Sequence, residues 1–264
     1  MGFLIIPMIR KRLFFDIETS FNIGIFWRSG YNLTIQPDDI IKERAIICVS
    51  WKWEGKDEVH HLQWDENQCD KKLLKAFIKQ LNKADEIIAH NGDRFDIKWL
   101  RTRCLFHGIE MFPQYQSIDT LKHAKSQFNF NSNKLDYIAK FLGVGAKIKH
   151  EGMDMWKAII FDKDADAMSR MVEYCDMDVI VLEKVFEKLQ PYTKKKVNYA
   201  VLRGGEKFEC PECGSFNIRM RKTYTTAAGT IQHYMSCECG NSSYKINNKT
   251  FIDWLQWKMK NNIK

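Results

Sequence analysis

No stretch of this chain is long and apolar enough to read as a membrane span. A membrane helix needs roughly 20 apolar residues in a row, and nothing in the sequence approaches that length. The apolar run Phe3–Ile9 is short and broken by Pro7, with no basic segment before it and no small-residue cleavage site after it. It therefore makes a poor secretory signal. Internal repeats and low-complexity segments are also missing, which argues against repeat and disordered architectures. The expectation is a soluble, intracellular and hence cytoplasmic protein.

Net charge is missing from most of the chain. From residue 193 onward there are thirteen Lys and Arg against five Asp and Glu, so the whole excess of +8 lies there and the first 192 residues balance. This last part is either an ordinary solvated surface or an appendage that binds a polyanion. Cysteine is segregated in the same way. Cys48, Cys69, Cys104 and Cys175 stand singly in apolar or helical contexts and read as reduced core thiols. Cys210, Cys213, Cys237 and Cys239 form two close pairs, which in an intracellular protein argues for metal rather than disulfides. With 264 residues and 45% apolar composition, the chain can bury one substantial core and a small second unit. The change of character at Thr193-Lys194-Lys195-Lys196 sets the expected boundary, giving domains 1–192 and 193–264.

Leu13, Phe14 and Phe15 form the apolar run of a fully buried strand. Phe21–Glu43 is aromatic-rich without clean periodicity and reads as an excursion that returns to the sheet. Ala45–Trp53 and Glu58–Trp64, joined by the turn Glu54-Gly55-Lys56-Asp57, read as an antiparallel hairpin. Leu73, Leu74, Phe77, Ile78 and Leu81 give Lys72–Leu81 helical spacing. Glu86–Ala89 is a short buried strand that runs into His90–Asp96 and a helix to about Phe106. Ser117–Thr120 ends another strand and opens a helix. Asn133–Leu142 is a compact helix capped by Ser132 or Asn133 and stopped by Gly143. After the polar loop Ala146–Gly152, a long helix spans about Lys163 to Leu189. Its buried stripe is Cys175, Val179, Leu182, Phe186 and Leu189, and Pro191 ends it. Together these elements predict an α/β fold: a mixed sheet with an antiparallel hairpin plus parallel strands, flanked by helices.

The apolar run of the first strand ends in Asp16 and Glu18. Side chains alternate along a strand, so both carboxylates point to one side and Ile17 to the other. Like charges held this close need a countercharge, and a hard cation such as Mg²⁺ or Mn²⁺ supplies it. A lone Asp-x-Glu is also common on surface strands. A two-metal nuclease site needs three or four carboxylates from separate elements, around cations ~4 Å apart. Asp96 stands after a strand at a helix start, where α/β folds place ligand-binding groups, and Asn91 in the loop ahead of it is placed to hold substrate. Asp178 on the long helix has Tyr174 one turn earlier on the same face, so the carboxylate can bind metal while the phenol orients the attacking water. Each has a structural alternative. Asp96 also fits a helix N-terminal acid, Asp178 a solvated charge such as Asp176 is expected to be, and Tyr174 a packing residue.

Phe15-Asp16-Ile17-Glu18-Thr19, Asn91-Gly92-Asp93-Arg94-Phe95-Asp96 and Tyr174-Cys175-Asp176-Met177-Asp178, in this order, resemble the three motifs of the DEDD (DnaQ-like) family of 3′–5′ exonucleases. Glu173 stands where the histidine branch has His, so the tyrosine branch fits. Ile118-Asp119-Thr120-Leu121, Lys134-Leu135-Asp136-Tyr137 and His150-Glu151-Gly152 are similar to segments of exonucleases encoded largely by bacteriophages, and the likeness spans roughly residues 11–192. The resemblance implies a ribonuclease H-like fold and catalysis by Asp16, Glu18, Asp96, Tyr174 and Asp178. In it the four carboxylates hold two Mg²⁺ or Mn²⁺, and Thr19, Asn91, Phe95 and His150 lie on the substrate side. It implies hydrolysis of terminal phosphodiesters of single-stranded or frayed 3′ ends to nucleoside monophosphates. DNA is favoured over RNA by likeness to family-B polymerase exonuclease domains, replication or repair proteins are the implied partners, and the compartment is the host cytoplasm if the chain is phage-encoded. The rivals are an exoribonuclease or oligonucleotide-degrading enzyme and, outside catalysis, a nucleic-acid-binding adaptor.

Cys210-Pro-Glu-Cys213-Gly is a zinc-knuckle turn, and Cys237-Glu-Cys239-Gly is its partner, one residue shorter than the usual knuckle, with His233 in reserve as a ligand. Asn217–Tyr224 and Thr230–Ser236 between them can form strands around Ala227-Ala228-Gly229, which makes a small C-terminal zinc ribbon with one structural Zn²⁺. Four thiolates on Zn²⁺ add −2 and lower the appendage charge to +6. Arg219, Arg221, Lys222, Tyr224 and His233 interleave basic, aromatic and polar groups suited to nucleic acid; the alternative is a purely structural ribbon. Phe251–Lys260 is amphipathic and predicts a closing helix.

Overall fold

The structure, a computed structural model, describes residues 10–28, 30, 33–145, 152–193, 197–202, 204–239 and 243–263. The chain divides into two compact units, Lys11–Phe186 and a second formed by Glu187–Lys264 with Arg10. The first unit runs β1 (Arg12–Thr19), β2 (Ile23–Gly24), β3 (Ile40–Lys42), β4 (Ile46–Trp53), β5 (Val59–Gln63), α1 (Lys71–Leu81), β6 (Glu86–Ala89), α2 (Asp96–Phe106), β7 (Gln116–Asp119), α3 (Thr120–Gln127), α4 (Leu135–Phe141), α5 (Met153–Lys157) and α6 (Ala165–Leu189).

β1 is the middle strand of a five-stranded sheet ordered β5-β4-β1-β6-β7. β4 pairs antiparallel with β1 and β5, and β6 pairs parallel with β1 and β7. The mixed sheet flanked by helices is the architecture the hydropathy pattern calls for. Both faces of β1 are buried, which is why its start reads as a continuous apolar run. Leu13, Phe15 and Ile17 pack with Leu73, Leu74, Phe77 and Leu81 of α1 and Ile97 and Leu100 of α2. Phe14 meets Phe186 of α6 edge-on on the other face, ring centres 5.4 Å apart. Each such side chain contributes about 1.5–3 kcal/mol by leaving water. Because β1, β6 and β7 run parallel, their C-terminal ends share one edge of the sheet, the edge where α/β sheets take ligands.

Several elements differ from expectation. The excursion after β1 contains β2 and β3 as a two-stranded ribbon. α5 and a π-helical turn over Ala158–Asp162 precede α6, and Met155, Ile159 and Ile160 bury with Ala167 and Met171. Their apolar stretch is too short to show a period by itself. α6 starts at Ala165 rather than Lys163: Lys163 is left-handed (φ 54°), and the Asp164 carboxylate accepts from the Asp166 and Ala167 N–H groups at 2.8 and 2.9 Å, which is an N-cap. α4 begins at Leu135 behind Lys134, not Ser132 or Asn133, and Gly143 at φ 66° stops it as expected.

A buried charge network links the residue ahead of α1 to the end of α2 and to β4. Asp70 is fully buried; its carboxylate accepts from Arg103 at 2.8 and 2.9 Å and from the Ile46 N–H at 3.0 Å, and lies 2.7 Å from His107 Nε2. Cys69, Asp70 and His107 are close enough to suggest a metal, but both Asp70 oxygens already serve the Arg103 fork. This is a structural salt bridge.

The second unit holds α7 (Tyr199–Leu202), β8 (Ile218–Thr225), β9 (Ile231–Cys237), β10 (Ser243–Asn247) and α8 (Asn248–Lys260). The three strands form an antiparallel sheet ordered β10-β9-β8. Phe208, Ile218, Met235, Ile246 and Trp254 make its small core. β8, β9 and α8 match the expected strands and helix; α7 and β10 are additions that short polar-apolar segments do not announce. Among the described residues no helix is long and apolar enough to cross a membrane.

Candidate functional site

The alternation of β1 puts Asp16 and Glu18 on the α6 side of the sheet, opposite Ile17. The register agrees: Asp16 lies across from Ser50 and Glu18 across from Cys48, and Cys48 packs with Met171, Val172 and Cys175 of α6. Asp178 of α6 comes down on the same spot. One carboxylate oxygen each from Asp16, Glu18 and Asp178 lie within 4.8 Å of one another, with Asp178 buried and the two β1 acids half-buried. Ligand oxygens around one Mg²⁺ at 2.0–2.1 Å sit about 3–4 Å apart, so this all-oxygen donor set fits a hard divalent cation. Tyr174 sits one turn before Asp178 on α6 and is buried.

Asp96 reaches β1 by a different route. It is the first residue of α2, 2% exposed, and its Oδ1 accepts from the Ile17 N–H at 3.2 Å. It does not share the mutual spacing of the other three. The loop that seats it is tight: Arg94 and Phe95 N–H donate to the Asn91 carbonyl and Ile97 N–H to the Gly92 carbonyl. Asn91 adopts φ 68°, a left-handed conformation that Asn tolerates, and its N–H donates to Asp119 Oδ1 at 3.0 Å. Asp119 also caps α3 through the Leu121 and Lys122 N–H groups. Its position supports the strand end. Phe95 is partly buried against the α1–α2 core, and Thr19 is buried past a β1 bulge, its carbonyl accepting from Trp156 Nε1 at 3.0 Å. His150 lies outside the described residues.

Two groups near this site have functions the sequence pattern misses. The Cys175 Sγ lies 3.5 Å from the Asp16 carbonyl and 3.8 Å from its Oδ2. Burial first, then contact with Cys48 and the charges of Asp16 and Glu18, hold this thiol well above the ordinary range. It stays a neutral S–H donor that steadies Asp16. Asp176 is not the solvated charge expected of it: Ser50 Oγ donates to its Oδ1 at 2.6 Å, and its Oδ2 lies 3.1 Å from His61 Nδ1. Partners on β4 and β5 pull it in, and nothing local in α6 signals them.

In the second unit the sulfurs of Cys210, Cys213, Cys237 and Cys239 all lie within 4.8 Å of one another. Cys210 and Cys239 are 3.9 Å apart, and Cys213 and Cys237 are 3.6 Å apart. With Zn–S near 2.3 Å, the edge of a tetrahedron is about 3.8 Å, so both members of the shortened knuckle are positioned to ligate. His233 is not: its ring nitrogens face Thr223 Oγ1 and Asn248 Oδ1, and it stacks on Phe251 at 3.8 Å. It belongs to the interior of the second unit's sheet and neither to the thiol cluster nor to an exposed basic face. Of the basic residues expected at substrate, Arg219 pairs with Glu238 at 2.6 Å, Arg221 Nε donates to Ser236 Oγ at 2.8 Å, and Lys222 lies 5.8 Å from the Tyr234 ring centre.

Comparison with known proteins agrees with this fold. The DNA polymerase of Thermococcus hydrothermalis is 31% identical over 102 residues, covering 38% of this chain and 6% of that protein. The DNA polymerase of Thermococcus sp. (strain 9oN-7) is 32% identical over 100 residues, 37% of this chain and 12% of that protein. The chain thus spans a small fraction of the length of these relatives. The family B DNA polymerase of the archaeon Pyrobaculum calidifontis has a similar fold over 69% of this chain and 25% of its own, with a TM-score of 0.54 and 16% identity. Residues 41–190, more than half of the sequence, match a family of the RNase H superfamily. The five-stranded mixed sheet carries the same assignment, and the chain belongs to the RNase H superfamily.

Proposed function

We propose that this protein is a divalent-metal-dependent nuclease acting as a 3′–5′ exonuclease on single-stranded or frayed nucleic acid, with DNA as the favoured substrate. The observation that carries the reading is the convergence of Asp16 and Glu18 from β1 with Asp178 from α6. An adaptor has no use for three carboxylates held against their mutual repulsion, whereas a phosphodiesterase does. These three residues and Asp96 would hold divalent cations, which would supply charge stabilisation at the scissile phosphate and lower the pKa of the attacking water.

The chain's own groups do the rest. Asp16 is steadied by the Cys175 S–H, which fixes one wall of the site. Tyr174 orients the attacking water with its phenol. Asn91, Phe95, Thr19 and His150 contact the terminal nucleotides, and the Cys210–Cys239 ribbon, with Zn²⁺ on its four thiolates, holds the strand through Arg219, Arg221 and Lys222. Similarity to DNA polymerases supports DNA over RNA.

The test is digestion of 5′-labelled single-stranded DNA and RNA with Mg²⁺, Mn²⁺ or chelator. The expected result is a ladder shortening from the 3′ end, lost with chelator. Asp16→Ala should slow it by roughly 10³-fold, the several kcal/mol of charge stabilisation a metal site supplies. Absence of degradation of either polymer with either metal sinks the reading, and preference for RNA replaces it with an exoribonuclease.

A further inference from the structure

The ribbon's three-stranded sheet has two unlike faces. On the inner one His233, Met235 and Cys237 of β9 pack with Ile246 and α8. On the outer one the register sets Lys222, Tyr234 and Lys245 in one row across β8, β9 and β10. Lys245 Nζ lies 4.8 Å from the ring centres of both Tyr224 and Tyr234, and the two rings are 5.1 Å apart. Arg221 joins this face at a β-bulge through its bond to Ser236. The three strands contain no Asp or Glu.

We propose that this outer face is a stacking platform for single-stranded nucleic acid, with Tyr234 and Tyr224 taking bases and Lys222, Lys245 and Arg221 taking phosphates. The inference rests on the nuclease reading for its ligand class and adds Tyr234 and Lys245, which that reading does not use, with a stacking role for Tyr224. Cations alone fit any polyanion. Aromatic rings half-exposed between them fit bases whose faces are free, and in a duplex those faces are stacked away. Lys245 is exposed and carries its ammonium on a four-carbon stem with several rotatable bonds, so it can leave the rings for a phosphate as a base takes its place. Arg219 has a smaller part, because Glu238 already neutralises it. Every base has a π-face, so binding here is tolerant of sequence, which suits an enzyme that must release one residue after another.

The test uses the full zinc-loaded chain and fluorescence anisotropy of a short labelled oligothymidylate without Mg²⁺ or Mn²⁺. Tyr234→Ala should weaken binding about 5- to 150-fold, the range for removing one stacked base, while Tyr234→Phe retains it. Lys222→Ala with Lys245→Ala should flatten the slope of log affinity against log salt by about 1.4, or ~0.7 for each phosphate left without its lysine. Blunt duplex should be insensitive to Tyr234→Ala. Unchanged oligothymidylate binding by Tyr234→Ala with zinc content intact overturns the proposal, as does an equal loss on duplex. Should Tyr234→Ala lose its zinc, the lysine pair decides, and an unchanged salt slope overturns it. Lack of nucleolysis by the unmodified chain would sink the nuclease reading while leaving this binding comparison valid.

Discussion

At the scale of single residues, the buried Asp70 shows how much a charge depends on its partners. Burial alone would raise its pKa, but hydrogen bonds from Arg103, the Ile46 N–H and His107 outweigh that and hold it below the ordinary carboxylate value. Asp70→Ala leaves Arg103 buried without its partner and should cost about 3–5 kcal/mol in chemical denaturation. The pH dependence follows from the direction of the shift. A depressed folded-state pKa stabilises fully above the unfolded carboxylate value near 4 and is lost as pH falls through the lower folded value. Acid titration of stability should therefore fall more steeply below about pH 4 in the unmodified chain than in Asp70→Asn. None of this is legible in the sequence, because Asp70 and Arg103 lie 33 positions apart and share no periodicity. Asp176 is missed for the same reason: Ser50 and His61 are 126 and 115 positions away.

At the scale of elements, the β6–α2 loop converts a local motif into a placed carboxylate. A Cβ on Gly92 would stand 2.5 Å from the Ala89 Cβ at the end of β6, closer than real side-chain carbons approach. Gly92→Ala should then cost about 1–3 kcal/mol, the usual range for overpacking, read as a lower urea midpoint. On the proposed nuclease reading it should lower activity as well, since the Gly92 carbonyl accepts from Ile97 in the first turn that carries Asp96. β1 and α6 need no such device. Period two along β1 and one helical turn between Tyr174 and Asp178 are intrinsic to those elements, so their side-chain directions can be read before any tertiary contact is known. The ribbon sheet is harder. His233 and Tyr234 are neighbours in sequence, and only the pairing of β9 with β8 and β10 decides which is inside.

For the whole molecule, the two units differ in the size of their apolar cores. The first has large apolar clusters on both faces of its sheet. The second has a small core around Phe208, Ile218, Met235, Ile246 and Trp254, with Cys210 and Cys237 among it. A core of that size needs a staple, and on the reading proposed above a Zn²⁺ on the four clustered thiolates would supply folding free energy directly. Calorimetry of the full chain should resolve two transitions. A strong zinc chelator should abolish the one that belongs to the second unit and leave the other in place. Metal analysis should find one zinc per chain, and Cys210→Ser should reproduce the chelator's effect. A single transition indifferent to chelation would rule out the stapled ribbon.

The α/β class, the central strand with its two acids, the longer helices of the first unit and the two close cysteine pairs are all readable from the residues alone. Each of these is written in short-range spacing: two for strands, three to four for helices, two to three for the cysteine pairs. The tertiary structure alone decided which distant groups meet. It brought Asp178 to Asp16 and Glu18, placed the Cys175 thiol against Asp16, gave Asp176 its partners Ser50 and His61, enclosed Asp70, turned His233 inward and set Tyr234 between two lysines. The physical reason is that sheet order, register and helix docking are set by burial summed over the whole core, and no window of neighbouring residues contains that sum.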